Sequence, residues 1–562
     1  MRLFPHSSCA VLPTLVSLAL PPGLGAQPSG SQEVLQLPTY TVTAERELPP
    51  PEAWLYTRID GFEILSSASA SNTKQLTDDF QRFAFAAGVV WPAARQNIAV
   101  PASLIVCGRN QQFELFRPDA EWVPDHAFIS LLFHKGGASA IVLDYQTKAI
   151  DLIGRTDGSS PDSPTDSIEV DPYLELRREY VKLVLARQER QPPPWLAEGI
   201  ARLLRVLEFS DTAIAIGKVS DPRFTSTDGG DFRSDLAARA LVPMGEMFAM
   251  TQDSLSARQP IGSAWPAQCY AFVHWGLFGD QGRNHKDFLQ FVNRIQREPL
   301  TEELFRDCFR KTYTQMLLVL RSYSEWTRHK AIGVKAGKDQ KIPYPPEALV
   351  RAATQAEVGR IKGDALALAG NVAEARTTYV TAYRRGERDP ALLASLGLAE
   401  LAGGDQVRAR AFLEAAVAGK AGQSRAYLEL ARLRLADGLS KPGSEPGKLD
   451  TAQTANVLEP LFAARDRPPP LPEVYELIAE TWARSSFPPK DAHLAAIEQG
   501  VKLFPRNAAL IYRAAELRAN NGFPVEAHSL VRLGLRVAPD APTRAKFEQL
   551  QARLPPPAAG NN

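Results

Sequence analysis

Between residues 346 and 554 the chain returns to the same pattern every 34 residues, and this period constrains the fold more than any other feature. Gly363, Gly397 and Ala431 are 34 apart, as are Gly370, Gly404 and Gly438. Ala375 and Ala409, Tyr379 and Leu413, and Ala382 and Ala416 keep the same step. So do Pro505 and Pro539, with Gly522 and Ala527 between them. Small residues at the points where paired helices touch, and a glycine in each turn, describe stacked helical hairpins. Each hairpin can bury its apolar face only against the next. Four or five units are expected, the last ending near Pro539, with the third stretched by a Gly/Pro/Ser loop over residues 439–448.

The register resembles that of tetratricopeptide (TPR) repeats. The resemblance implies an all-α solenoid whose groove holds a protein or peptide partner. Arg376, Arg384, Arg385, Arg408, Arg410, Arg425, Arg432 and Arg434 make the first three units basic. That favours an acidic partner, unless the cations simply face water.

Upstream, residues 173–204 read YLELRREYVKLVLARQERQPPPWLAEGIARLL. Leu176, Tyr180, Leu183 and Val184 fall on one helical face, Asp171 and Pro172 form a helix start, and Pro192 to Pro194 end it. Trp195-Leu196-Ala197-Glu198-Gly199 opens a second helix. This layout resembles the active-site segment of gluzincin-type (peptidase MA-like) metallopeptidases. In that family one helix carries HExxH and the next carries a glutamate that completes the zinc site. The phrase WLAEGIA is present here, but the HExxH positions read Arg178-Glu179-Tyr180-Val181-Lys182. The resemblance makes Glu179 the counterpart of the general base and Glu198 that of the third ligand. Arg178 and Lys182 stand at both histidine positions. Arginine has no acceptor lone pair, lysine is a cation unless strongly desolvated, and both repel a dication. No catalytic residue, metal or cofactor is therefore expected, and one or both cations are expected to pair with Glu198. The competing reading is an active hydrolase, with zinc held in an unforeseen way or with metal-free chemistry based on Glu179.

The remaining features set the limits of the molecule. The 562 residues carry a formal charge of +1, which favours neither nucleic acid nor an anionic membrane. Residues 1–26 read as a signal peptide: Arg2, an apolar stretch, and small residues up to Ala26. An exported protein, periplasmic or extracellular and without a transmembrane segment after cleavage, is expected. Residues 27–53 read as a disordered linker, 54–168 as the N-terminal α/β part of the peptidase-like unit, and 169–330 as its helical part. Residues 331–345 read as a hinge-like linker, 346–554 as repeats and 555–562 as a disordered tail. The fold class is thus α+β: a small mixed sheet with a helical lobe, then an all-α solenoid. Within the first part a strand over 54–67, a helix capped by Ser71 or Asn72, a buried strand over 102–107 and a hairpin around Gly136-Gly137 are expected. One long helix is expected over 302–326. Cys107, Cys269 and Cys308 are too few for a disulfide framework; Cys269 and Cys308 are either one pair or buried thiols. His274 is expected to be structural. The old substrate cleft offers a second place for a peptide to sit.

Overall fold

The computed structural model describes residues 37–38, 48–95, 101–109, 112–117, 129–147, 149–151, 167–169, 171–188, 191–219, 236, 240–251, 264–325, 331–440 and 447–555. The expected signal peptide, most of the 27–53 linker, most of the 157–168 loop and all but the first residue of the tail lie outside these. No helix among the described residues is long and apolar enough to cross a membrane.

Eleven strands are described. They are β1 (Leu55–Ile59), β2 (Phe62–Ser66), β3 (Ala102–Cys107), β4 (Ser130–Lys135), β5 (Ala138–Asp144), β6 (Ala149–Asp151), β7 (Ser167–Glu169), β8 (Glu208–Phe209), β9 (Ala213–Ile216), β10 (Ile332–Lys335) and β11 (Arg351–Ala352). Six form a mixed sheet in the order β11-β1-β2-β3-β5-β4, in which β3 runs parallel to both β2 and β5. Where one strand was expected over 54–67 there are two. Asp60-Gly61, with Gly61 at φ 75°, turns the chain back on itself. Helix α1 (Ala70–Val90) then carries the chain from β2 to β3. Its cap is Ser69, whose hydroxyl accepts from the Asn72 amide, two to three residues earlier than expected.

Both faces of this sheet are buried, and they serve different halves of the chain. Alternate residues Phe62, Ile64, Leu104, Val106, Ile141 and Leu143 pack against Leu76, Phe80 and Phe83 of α1 and against Tyr180 of α2 (Pro172–Ala186). The intervening Leu65, Ile105, Cys107, Ala140 and Val142 join the core of the helical repeats. The helical lobe continues with α3 (Pro194–Arg205), α4 (Met244–Ala249), α5 (Trp265–Phe278), α6 (His285–Ile295), α7 (Glu302–Phe309) and α8 (Tyr313–Ser324). The single helix expected over 302–326 is broken at Arg310, which sits at φ 54° as the cap of α7, and Thr312 starts α8 with a capping box.

Residues 331–345 do not hang free as a hinge. β10 pairs with β9, the Ile342 amide donates to the Asp211 carbonyl at 2.7 Å, and the Arg82 guanidinium lies 4.6 Å from the Tyr344 ring centre. β11 then completes the main sheet beside β1. The Lys/Gly/Pro-rich composition conceals this because the pairing is made by backbone groups, with every residue of β10 exposed.

The repeats are α9 (Gln355–Leu368) with α10 (Val372–Arg384), α11 (Pro390–Ala402) with α12 (Gln406–Ala418), α13 (Ser424–Ser440) with α14 (Thr451–Arg465), α15 (Pro472–Arg484) with α16 (Asp491–Leu503), and α17 (Ala508–Asn520) with α18 (Pro524–Val537). α19 (Ala541–Arg553) closes the array. The 34-residue step has a direct steric basis. A Cβ on Gly363 would run into the Tyr379 ring, and one on Gly397 would lie 2.9 Å from Leu413. Gly370 (φ 94°) and Gly404 (φ 84°) make the turns between paired helices. Gly438 departs from this pattern. It lies inside α13, which runs on to Ser440, and a Cβ there would meet Leu449 at 2.8 Å.

Candidate functional site

Helices α2 and α3 lie side by side at the centre of the first half. Asp171 caps α2, accepting from the Tyr173 amide, and Pro172 occupies the first turn. Pro194 opens α3, and Trp195 is fully buried among Phe248, Phe272 and Phe291. Gly199 lets α3 lie directly on α5: a Cβ there would collide with Val273 Cγ2 and lie 2.6 Å from the Cys269 carbonyl oxygen. The glycine of WLAEG is therefore a packing requirement, and it fixes the height at which Glu198 faces α2.

Glu198 is 6% exposed and fully engaged. Lys182 Nζ lies 3.0 Å from its Oε2, Arg202 Nε donates to its Oε1 at 2.7 Å, and Arg178 Nε approaches to 4.0 Å. One or both cations were expected to pair with Glu198, and both lie within ion-pair distance of it. Burial raises the Glu198 pKa, but Lys182, Arg178 and Arg202 outweigh burial and hold the carboxyl well below its ordinary range. Glu179 lies in the same cluster, 3.2 Å from Arg178, 3.8 Å from Lys182 and 3.3 Å from the Ser130 hydroxyl, which donates to it.

Four members escaped the sequence reading. Glu175 is buried beside Glu179, Arg178 Nη1 lies 2.5 Å from one of its oxygens and Arg205 Nη1 donates to the other at 2.9 Å. Ser130, on β4, places its hydroxyl 3.4 Å from Glu175 and 3.3 Å from Glu179, so its one proton is shared between the two carboxylates. Burial acts to raise the Glu175 carboxyl as well, and Arg178 and Arg205 reverse it, leaving the pKa lowered. Arg202 was legible as the i+4 partner of Glu198, and Arg178 as the i+3 partner of Glu175. The contacts of Arg205 and Ser130 cross between elements and leave no local signal.

Three carboxylates thus face four cations. Both oxygens of Glu198 are already taken by cationic donors, and Arg178, Arg202 and Lys182 beside it have no lone pair to offer a metal. These residues do not fit zinc. Among the described residues no three His, Cys, Asp or Glu side chains gather in a way that could hold a metal ion. His274 lies fully buried elsewhere. Its Nε2 donates to the Gly217 carbonyl at 2.9 Å, so its Nδ1 is left to accept from the Tyr323 hydroxyl at 2.7 Å. Cys107, Cys269 and Cys308 are buried free thiols.

The basic stripe of the first three repeats is largely spent within the solenoid. Arg376 pairs with Glu400, Arg410 with Asp437, Arg425 and Arg432 with Glu429, Arg408 with Asp405, and Arg434 with Glu459. An acidic partner finds less free charge there than the sequence suggests.

No protein-family model matches the chain, and no curated protein matches it. Among solved structures it is similar to YrrB, a TPR protein with an unusual peptide-binding site, at TM-score 0.27 and 13% identity over 34% of this chain and 90% of that one. It is similar to a thermophilic TPR protein of Thermus thermophilus, TTC0263, at TM-score 0.25 and 20% identity over 35% and 99%. A longer span, 67% of this chain and 68% of the other, is similar to the APC/C hetero-tetramer Cut9–Hcn1 at TM-score 0.27 and 11% identity. These TM-scores are too low to transfer anything, and the repeat architecture rests on the spacing and packing of this chain's own helices.

Proposed function

We propose that the chain is an exported, non-catalytic scaffold: a degenerate metallopeptidase-like unit joined to a TPR solenoid, acting in protein–protein interaction or assembly. One observation carries this reading. Glu198, which the WLAEG phrase would offer to a metal, is bracketed by Lys182, Arg202 and Arg178 within 4.0 Å. A dication brought there meets the positive charge of all three, and both oxygens of Glu198 are already engaged. Glu179 alone has neither a Lewis acid nor a metal-activated water to work with. The array of five helix pairs supports the interaction role, because a stacked-hairpin solenoid presents a long surface suited to an extended partner. Export is supported only by the pattern of residues 1–26. Mature-protein N-terminal sequencing tests it, and a sequence starting after Ala26 is expected.

The decisive test of the non-catalytic reading is proteolysis by the purified full chain. It should leave unfolded casein intact, with or without added zinc. Cleavage that a chelator abolishes would overturn the reading.

A further inference from the structure

The first hairpin of the solenoid already holds a length of extended chain. Residues 48–53, Leu-Pro-Pro-Pro-Glu-Ala, are neither helix nor strand and cross α9 and α10 before the chain enters β1. Arg385, just past α10, donates to the Pro49 carbonyl oxygen. Lys362 of α9 donates to the two carboxylate oxygens of Glu52 at 2.8 and 3.0 Å, and the Trp54 indole donates to the same group at 2.6 Å. Slightly upstream, the Tyr383 hydroxyl donates to the Pro38 carbonyl at 2.9 Å.

Three observations mark this as a site. Lys362 is only 6% exposed, and an ammonium that deep needs a carboxylate opposite it. Residues 49–53 are themselves exposed, so polar contacts hold this stretch between two apolar anchors, Leu37 upstream and Trp54 downstream, both packed on the repeat core. The stretch can leave without opening the core. A cavity of about 120 Å³, lined by Pro49, Glu52, Val358, Lys362, Thr381 and Arg385, remains beneath it. The prolines also favour an extended conformation and lower the entropy lost on docking.

We propose that the cleft between α9 and α10 binds extended, proline-containing peptides that present a carboxylate to Lys362. Residues 48–53 are its resident occupant, displaced when a partner supplies a segment of the same chemistry. This rests on the scaffold reading above and names the partner's chemistry. The tether holds the resident segment at an effective concentration of about millimolar, so a free peptide meets strong competition in the unaltered chain.

The test uses a fluorescein-labelled hexapeptide, Leu-Pro-Pro-Pro-Glu-Ala, titrated with the full chain and followed by anisotropy. Glu52→Gln loosens the resident segment, and this chain should bind the peptide at least ten-fold more tightly than the unaltered one. Replacing the peptide's glutamate by glutamine should weaken binding at least ten-fold. Circular dichroism melting establishes which variants fold. Should Glu52→Gln fail to fold, a chain with Pro49→Gly, Pro50→Gly and Pro51→Gly keeps the Lys362–Glu52 pair and carries the same test. The proposal is overturned if the folded variants bind no better than the unaltered chain, or if both peptides bind equally. Either result leaves the scaffold reading standing, since that reading is tested separately by proteolysis and by zinc content.

Discussion

At the scale of single residues, the cluster between α2 and α3 makes stability depend on pH in a fixed direction. Glu198 and Glu175 both have folded pKa values below their ordinary 4.5. A carboxyl depressed on folding contributes stability that is fully present above its unfolded pKa and is lost as pH falls through its folded pKa. The denaturant midpoint should therefore be flat above about pH 5 and fall steeply below the ordinary 4.5. Glu175→Gln with Glu198→Gln should flatten the acid limb; an unchanged slope in that double variant would assign the acid sensitivity elsewhere. Glu198→Gln alone should cost about 3 kcal/mol at pH 7 by urea denaturation, because it leaves Lys182 and Arg202 facing a neutral group. That is the low end for a broken buried pair, since the Lys182 side chain keeps 26% of its exposure. A cost under about 0.5 kcal/mol would show that the cluster is held together by the helices alone.

At the scale of elements, close glycine contacts position the site and set the repeat. Gly199→Ala places a methyl 2.6 Å from the Cys269 carbonyl, which belongs to a helix backbone and has little freedom to retreat. The expected loss is about 1–3 kcal/mol, read as a lower melting temperature. Gly363→Ala meets the Tyr379 ring and should cost a similar amount, whereas Gly363→Ala with Tyr379→Leu should recover part of it. Additive losses in that pair would refute the steric account of the 34-residue step. Much of this was legible in sequence. The helices α2, α3 and α5 and the β4–β5 turn at Gly136-Gly137 follow from periodicity, capping and turn residues close together in the chain. What could not be read there depends on partners far away. The Asp60-Gly61 turn within one apolar stretch, the αL cap at Arg310, and the pairing of β10 with β9 and of β11 with β1 belong to this group. So does the capture of Glu175 by Arg205, thirty positions on.

At the scale of the whole molecule, the hinge-like composition of residues 331–345 leaves open whether the two halves pack together, and the sheet joins them. Leu65, Ile105 and Val142 lie in one cluster with Ile361 and Ala365 of the first repeat helix. Arg360 of the same helix pairs with Glu63 of β2 at 2.9 Å. The chain should therefore melt across sheet and first repeats in one transition, and Ile361→Ala should lower the stability of both by about 2–5 kcal/mol. Tryptophan fluorescence, to which every tryptophan but Trp482 contributes from ahead of the repeats, and far-UV circular dichroism, which is dominated by the repeats, should shift together. Separate transitions would restore the hinge. A fragment ending near residue 340 should expose the second sheet face and aggregate.

The claim on which the functional account depends is that cations have replaced a metal. Its most direct test is the zinc content of the purified full chain by plasma mass spectrometry, beside a variant carrying Arg178→His and Lys182→His. The account predicts negligible zinc in the unaltered chain and close to one equivalent in the double variant, held next to Glu198. One tightly bound equivalent in the unaltered chain would contradict it.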